Sequence, residues 1–167
     1  MKYFYQRDNM KQTPCSLTTL CYIDDGKRFL MMNRNKKKRD VNSGKWIGVG
    51  GHFEDGEDPV DCLLREVHEE TGLKLLGYNF RGIVTFVYDD NIPEYMHLFT
   101  ADSYEGEIGS CDEGDLEWID KNDIFDLELW EGDKIFLKRL VDDTDKGMIF
   151  LKLRYDKEGN LLEAIEH

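Results

Sequence analysis

The stretch from Gly51 to Leu73, GHFEDGEDPVDCLLREVHEETGL, constrains this chain more than any other part of the sequence. Asp58 followed by Pro59 predicts a helix start, because an aspartate oxygen caps a first turn and proline needs no N–H there. Gly72 predicts the helix end, since glycine readily adopts the left-handed conformation that follows a last turn. A glycine-containing, acidic loop therefore leads into one short helix.

This helix carries an apolar stripe and a set of carboxylates. Apolar residues at i, i+3, i+4 and i+7 spacing predict a stripe that faces a core: Val60, Leu63, Leu64 and Val67. Glu66, Glu69 and Glu70 lie three and four residues apart beside it, and like charges at this spacing destabilise a helix by a few tenths of a kcal/mol per pair. A hard divalent cation with oxygen ligands would offset the repulsion. The alternative is a solvated acidic helix surface, as in most charge runs.

The spacing of the whole stretch decides between these readings. It fits Gly-x5-Glu-x7-Arg-Glu-φ-x-Glu-Glu-x-Gly-φ, where φ is apolar, without a mismatch. The fixed positions are Gly51, Glu57, Arg65, Glu66, Val67, Glu69, Glu70, Gly72 and Leu73. This pattern is the signature of the Nudix hydrolases, which the chain resembles, and a match at nine positions favours a functional site.

Composition sets the broad class. A length of 167 residues with 40% hydrophobic residues suits one domain, so we expect a single Nudix domain over 1–167. The net charge of −13 argues against binding a nucleic acid polymer through a broad basic surface. The four cysteines show no metal-type spacing, and the N-terminus has no apolar signal core. No stretch approaches membrane-spanning length, so we expect a cytoplasmic protein without membrane contact.

The order of strand and helix patterns predicts the fold. Strands are expected over 15–23, 29–33, 44–51, 95–101, 116–119 and 149–155 and within 75–88, and a second helix over 133–141. Residues 102–115 are acidic and predict a loop. This β-β-β-α-β-β-β-α-β order predicts an α/β (α+β) fold with a mixed sheet and a helix on each side. The Nudix resemblance implies the same α/β/α sandwich.

A basic loop from Arg34 to Ser43 stands out in this acidic chain. Its basic residues are Arg34, Lys36, Lys37, Lys38 and Arg39. It is either a solvated loop or a positive rim that attracts a triphosphate.

The resemblance also implies a metal cofactor, Mg²⁺ or alternatively Mn²⁺. It assigns Glu66, Glu69 and Glu70 to metal binding and makes Glu66 a candidate to orient or deprotonate water. The full set of candidate metal ligands is Gly50 (through its carbonyl), Glu57, Glu66, Glu69, Glu70 and Glu113. Glu113, preferred over Asp112, would be a ligand or base from a distant loop. Arg65 is expected to pair with Glu57 or Glu69 and orient it.

Beyond this motif the chain resembles the MutT-type oxidised-purine nucleoside triphosphatases. The segment 44–51 resembles their Gly-Arg-Trp-Asn-Gly-Phe-Gly-Gly, and 130–133 resembles their Trp-Pro-Asp-Asp. The resemblance implies that Trp130 stacks on the base and Asp133 bonds its edge. The alternatives are a core aromatic for Trp130 and a helix N-cap for Asp133.

Further substrate contacts are expected at Ile47 and Asn33. Ile47 stands where the family has a base-contacting Asn, and Gly132 replaces the first of its two acids. The resemblance therefore does not show how this protein would distinguish an oxidised guanine from guanine.

The resemblance implies Mg²⁺-dependent hydrolysis of a nucleoside triphosphate, such as 8-oxo-dGTP, to the monophosphate and pyrophosphate. Such an enzyme supports DNA repair by cleansing the nucleotide pool, as a monomer or homodimer acting on a small molecule. One alternative is another Nudix substrate. Tyr88 stands near the place where dinucleoside polyphosphate enzymes of the family have a tyrosine, so such a substrate stays possible. The proline that the family's ADP-ribose enzymes carry some fifteen residues past the motif is absent here. Another alternative is a non-catalytic nucleotide-binding module, although such modules typically lose the motif's glutamates.

Overall fold

The computed structural model describes residues 13–36 and 40–167 and confirms a mixed sheet with helices on both sides. The interpretations of the N-terminus over 1–12 and of Lys37, Lys38 and Arg39 fall outside these residues. The strands are β1 (Ser16–Asp24), β2 (Arg28–Asn33), β3 (Trp46–Ile47), β4 (Lys74–Tyr88), β5 (Glu94–Glu105), β6 (Asp115–Asp120), β7 (Ile149–Tyr155) and β8 (Leu161–Glu166). The helices are α1 (Pro59–Thr71), α2 (Asp133–Leu140) and a short 3-10 helix (Ile124–Asp126). No helix in this part of the chain is long and apolar enough to cross a membrane.

The sheet order is β3-β2-β1-β5-β4-β7-β8, with β6 also paired to β2. The β1–β5 and β4–β7 pairs are parallel and the others antiparallel. One core cluster includes Leu63 and Val67 of α1, and a second, larger one includes Phe136 and Leu137 of α2. The sheet is therefore the middle layer of the predicted sandwich.

Helix α1 begins and ends where the sequence predicts. The Asp58 carboxylate accepts hydrogen bonds from two backbone N–H groups of the first turn, and Gly72 closes the helix with a φ of 78°. The expected apolar stripe is wrong at one position, since Leu64 is 38% exposed whereas Cys62 is fully buried. The buried arc is displaced toward the side that carries Glu66 and Glu70, because that side packs against the glycine segment before the helix.

Three boundaries differ from the sequence predictions. Strand β5 continues through residues 102–105, expected as loop, because it pairs with the first half of β4. Strand β8 was not predicted; it is a six-residue edge strand whose residues alternate between half-buried and exposed. The expected strand over 44–51 contracts to β3, and the remainder runs beside β1 through isolated bridges at Val49 and His52.

Candidate active site

The backbone of residues 48–51 lies unusually close to its neighbours. A Cβ atom on Gly50 would lie 2.1 Å from the Thr19 carbonyl oxygen, and Gly50 has a φ of +152°. A Cβ atom on Gly51 would lie 2.5 Å from the carboxyl carbon of Glu66. Only glycine fits position 50, where the close atoms are backbone, and a side chain at position 51 would displace the Glu66 carboxylate. The two glycines let the backbone reach the carboxylates of α1.

Glu70 is a buried carboxylate on the inner side of α1, with 6% exposure. The Gly50 N–H donates a hydrogen bond of 2.8 Å to its Oε2 atom. Burial raises the pKa of Glu70 to about 8; the charges of Glu113 and Glu66 add to this, while the Gly50 N–H and Arg34 oppose it. The carboxylates of Glu66 and Glu113 therefore lie close enough to Glu70 for their charges to raise its pKa.

Arg65 braces the loop before α1, as the sequence suggested. Its Nε and Nη2 atoms contact the two oxygens of Glu57 at 2.6 and 2.8 Å. Its Nη1 atom contacts Glu66 at 2.7 Å and Glu69 at 3.2 Å, and Nη2 also donates to the His52 carbonyl at 3.0 Å. The bidentate pair with Arg65 lowers the pKa of Glu57 to about 2. With its donors engaged in this way, Arg65 orients carboxylates and does not need to reach a substrate.

The candidate metal ligands are only partly assembled. Among residues 13–36 and 40–167, no group of three or more His, Cys, Asp or Glu side chains has a metal-binding arrangement. Glu57 is engaged by Arg65, and the Glu69 side chain is 58% exposed. Glu66 and Glu70 nevertheless fit a hard cation, because they offer oxygen atoms only and their mutual repulsion raises the pKa of Glu70. Mg²⁺ commonly takes only one or two carboxylates and completes its shell with water and phosphate.

A cavity of about 610 Å³ runs along this segment. Its lining includes these predicted site residues: Ile47, Gly50, Glu66, Glu113, Trp130 and Asp133. Asn33, Glu57, Arg65, Glu69 and Glu70 do not line it. Of the two acids proposed from the distant loop, Glu113 lines the cavity whereas Asp112 is exposed. The cavity thus joins the glutamate side of α1 to the segment that precedes α2.

Trp130 combines both of its sequence-based interpretations. It is 5% exposed and belongs to the core cluster on the α2 side of the sheet. Its ring meets Tyr155 and Phe86 edge-on, with centroids 4.8 and 5.4 Å apart. Its indole N–H donates to the Asn42 side chain at 2.7 Å, and the residue also lines the cavity. Trp130 is a core aromatic that forms part of a cavity wall.

Asp133 is not the N-cap of α2. Gly132 occupies the cap position and α2 has no side-chain cap hydrogen bond. Asp133 is 4% exposed and lines the cavity. Burial raises its pKa to about 7, the charge of Lys45 acts against the shift, and the charge of Glu94 adds to it. Its carboxyl group is therefore held in the cavity wall at a free-energy cost.

Gly132 departs from the Trp-Pro-Asp-Asp pattern for a steric reason. A Cβ atom there would lie 2.5 Å from the Leu153 side chain and 2.6 Å from the Tyr155 hydroxyl. That hydroxyl accepts a hydrogen bond of 2.8 Å from the Gly132 N–H. A side chain at position 132 would therefore require Leu153 and Tyr155 to move.

The cavity lining also includes residues that the sequence did not assign to the site, among them Asn42 and Glu94. Arg34 lines it too, and belongs to the loop that the sequence interpreted as either solvated or a positive rim for a triphosphate. Arg34 was placed in a polar loop, yet its side chain is only 13% exposed and forms ion pairs with Asp40 and Glu113. No local signal reveals this, because Arg34 and Glu113 meet only through the pairing of β2 with β6. By contrast, Lys36 lies at the surface, where it contacts the Cys111 carbonyl at 2.7 Å.

Tyr88, the residue that keeps a dinucleoside polyphosphate open as a substrate, is not among the residues that line the cavity. Its hydroxyl donates to the Lys157 carbonyl at 2.6 Å, and its ring contacts that of Trp130, with the centroids 6.0 Å apart.

Comparison with known proteins agrees with this geometry. The NUDIX domain family matches residues 16–140. The chain is 31% identical over 149 residues to the Nudix hydrolase YvcI of Bacillus subtilis, covering 86% of this chain and 89% of that one. It is 34% identical over 119 residues to the oxidized purine nucleoside triphosphate hydrolase of Danio rerio, covering 70% and 73%. The MutT protein of Bacillus halodurans has a crystal structure that superposes with a TM-score of 0.79 at 28% identity, covering 90% of this chain and 97% of that one. The chain therefore belongs to the Nudix hydrolase family and is of the MutT type.

Proposed function

We propose that this protein hydrolyses an oxidised purine nucleoside triphosphate, such as 8-oxo-dGTP, to the monophosphate and pyrophosphate with Mg²⁺. The observation that carries the proposal is one cavity whose lining includes Glu66 and Gly50 as well as Trp130 and Asp133. A nucleotide needs both a place for its polyphosphate and a place for its base. The name of the Danio rerio relative supports the same substrate class.

At the polyphosphate end, Glu66 and Glu70 would hold the cation through their carboxylate oxygens. When bound, such a cation neutralises polyphosphate charge and lowers the pKa of bound water. Glu66 lines the cavity and is oriented by Arg65 at 2.7 Å, so it accepts the proton of the attacking water. The water oxygen forms a bond to the β-phosphorus while the bond to the α–β bridging oxygen breaks. That oxygen leaves with the monophosphate.

At the base end, Trp130 supplies an aromatic wall and Asp133 a buried hydrogen-bonding group. Ile47 adds an apolar contact, because it lines the same cavity and packs against the core cluster that contains Trp130. This end holds the base, whereas the reacting phosphorus lies at the glutamate end. Changes here should therefore alter substrate selection more than the chemical step.

The decisive test combines a substrate panel with Glu70→Gln. Wild-type protein with Mg²⁺ should convert 8-oxo-dGTP to monophosphate and pyrophosphate, and in ¹⁸O-labelled water the label should appear in pyrophosphate. Glu70→Gln keeps an acceptor for the Gly50 N–H but removes the charge, so turnover should fall by about two orders of magnitude or more. Glu158→Gln, in an exposed turn, serves as the matched control. Wild-type turnover in Glu70→Gln, or label in the monophosphate, would contradict the proposed chemistry.

A further inference from the structure

Glu94 is an acidic residue in the cavity wall that the MutT resemblance does not assign. It begins β5 and pairs with Ser16 of β1 in the parallel register. The Thr18 hydroxyl donates to its Oε1 atom at 2.8 Å, which fixes the direction of the carboxylate. Both Thr18 and Glu94 line the cavity that Asp133 lines. The charge of Glu94 also contributes to the raised pKa of Asp133, so the two carboxylates act on a common space.

Asp133 is the second observation that points to a ligand here. It is 4% exposed, and within residues 13–36 and 40–167 its carboxylate makes no hydrogen bond or ion pair. A buried polar group without a hydrogen-bond partner destabilises the folded protein. In a cavity wall, the group that satisfies such a carboxylate is a donor on the bound molecule.

The structure also explains why a second acid has to come from another strand. Position 132, next to Asp133, is a glycine, and a Cβ atom there would lie within 2.6 Å of the Leu153 and Tyr155 side chains. Glu94 reaches the cavity from β5 instead, and Thr18 uses only one of its two oxygens. The other oxygen makes no hydrogen bond within the described part of the chain, which leaves an acceptor for a ligand.

We propose that Glu94 is a specificity-determining residue that, together with Asp133, accepts hydrogen bonds from the N–H groups on one edge of the bound purine. An ionised carboxylate only accepts, so at a pH above the Asp133 pKa of about 7 two of them select an edge that presents two donors. A guanine-type base presents its N1–H and its 2-amino group on one edge. A hypoxanthine-type base lacks the 2-amino group. The pair therefore favours 2-amino purines, an inference that rests on the proposed function for the identity of the cavity.

The test measures binding of a product monophosphate, which does not depend on turnover. The probes are 8-oxo-dGMP and 8-oxo-dIMP, which differ only in the 2-amino group, and the measurement is calorimetric titration. Wild-type protein should bind 8-oxo-dGMP at least tenfold more tightly. Glu94→Met should weaken 8-oxo-dGMP binding by about 10- to 100-fold, as expected for a hydrogen bond to a charged group, and should change 8-oxo-dIMP binding less than about threefold.

Two further variants make the result specific. Glu94→Gln keeps the size of the side chain and should reduce the same preference, since its amide places donors toward the donors of the base. Glu105→Met, at the exposed far end of β5, is the matched control and should leave both affinities unchanged. With triphosphate substrates, Glu94→Met should raise KM and leave kcat within about twofold, the pattern of uniform binding.

Each outcome decides the question. Equal loss of both ligands in Glu94→Met, no loss of either, or a wild-type protein without the 2-amino preference would overturn the inference. Selective binding that depends on Glu94, in a protein that hydrolyses no triphosphate, would support the inference and refute the proposed function instead. Hydrolysis of 8-oxo-dGTP without any effect of Glu94→Met on binding would support the proposed function and refute the role of Glu94.

Discussion

The buried carboxyl group of Asp133 predicts how stability depends on pH. Its folded pKa of about 7 lies above the ordinary aspartate value of 3.8. The folded state therefore binds a proton that the unfolded state has released between these two values. Stability is highest below the unfolded pKa and falls as the pH rises toward 7, by up to about 1.4 kcal/mol per pH unit. Asp133→Asn removes this titration while keeping the size of the side chain.

The size of the effect follows from the surroundings of Asp133. A shift of about three pKa units corresponds to a ceiling on the order of 4 kcal/mol above pH 7. Because the carboxyl group faces a cavity, water reduces this, and we expect about 1–3 kcal/mol. The titratable groups that act on it are Lys45, which favours its ionisation, and Glu94, which opposes it. Tyr22 and Tyr155 also face it and stay neutral in this range, since burial raises the pKa of each.

Urea unfolding of both proteins at pH 5, 6, 7 and 8 measures this difference. Asp133→Asn should be more stable than wild type at pH 8, and its advantage should shrink steadily toward pH 5. Asp126→Asn, which alters an exposed aspartate, should show no such trend. A difference that does not vary with pH, or a variant that is less stable at pH 8, would refute the assignment of a buried, destabilised carboxylate.

Two further predictions concern residues that hold the site in place. Arg65→Lys should lower kcat by about 10- to 100-fold while the protein stays folded, because lysine cannot form the bidentate pair with Glu57 and also contact Glu66. Steady-state kinetics would measure kcat and circular dichroism would check the fold; an unchanged kcat would exclude the bracing role. Trp130→Phe and Asn42→Ala should each lower the free energy of unfolding by about 1–2 kcal/mol. The double variant should lose less than the sum of the two, because both changes remove the same 2.7 Å hydrogen bond. Strictly additive losses in urea unfolding would show that the two residues do not share this bond.

The sequence predicted best where local chemistry decides the structure. The limits of α1 follow from Asp58, Pro59 and Gly72, whose capping and backbone preferences act over a few residues. The stripe on α1 was only partly right, because Leu64 is exposed. A helical pattern shows which residues are apolar, whereas the neighbouring segment decides which side of the helix is covered.

Other parts of the fold depend on pairing between distant segments. Residues 102–105 read as loop because they are acidic and polar, yet they form the end of β5 through hydrogen bonds to β4. Strand β8 exists because β7 offers it an edge. Backbone pairing of this kind leaves little trace in the composition of a polar strand end such as 102–105.

The candidate site shows the same division. The signature fixed Glu66, Glu70 and Arg65 as a unit, because their spacing along one helix already sets their relative positions. The sequence could not show that Glu94 joins Asp133 in one cavity wall, since that depends on the parallel pairing of β1 with β5 and on the position of α2. Nor could it show that Asp133 is buried with a pKa near 7. Desolvation is set by everything packed around a group, and only the tertiary structure brings those neighbours together.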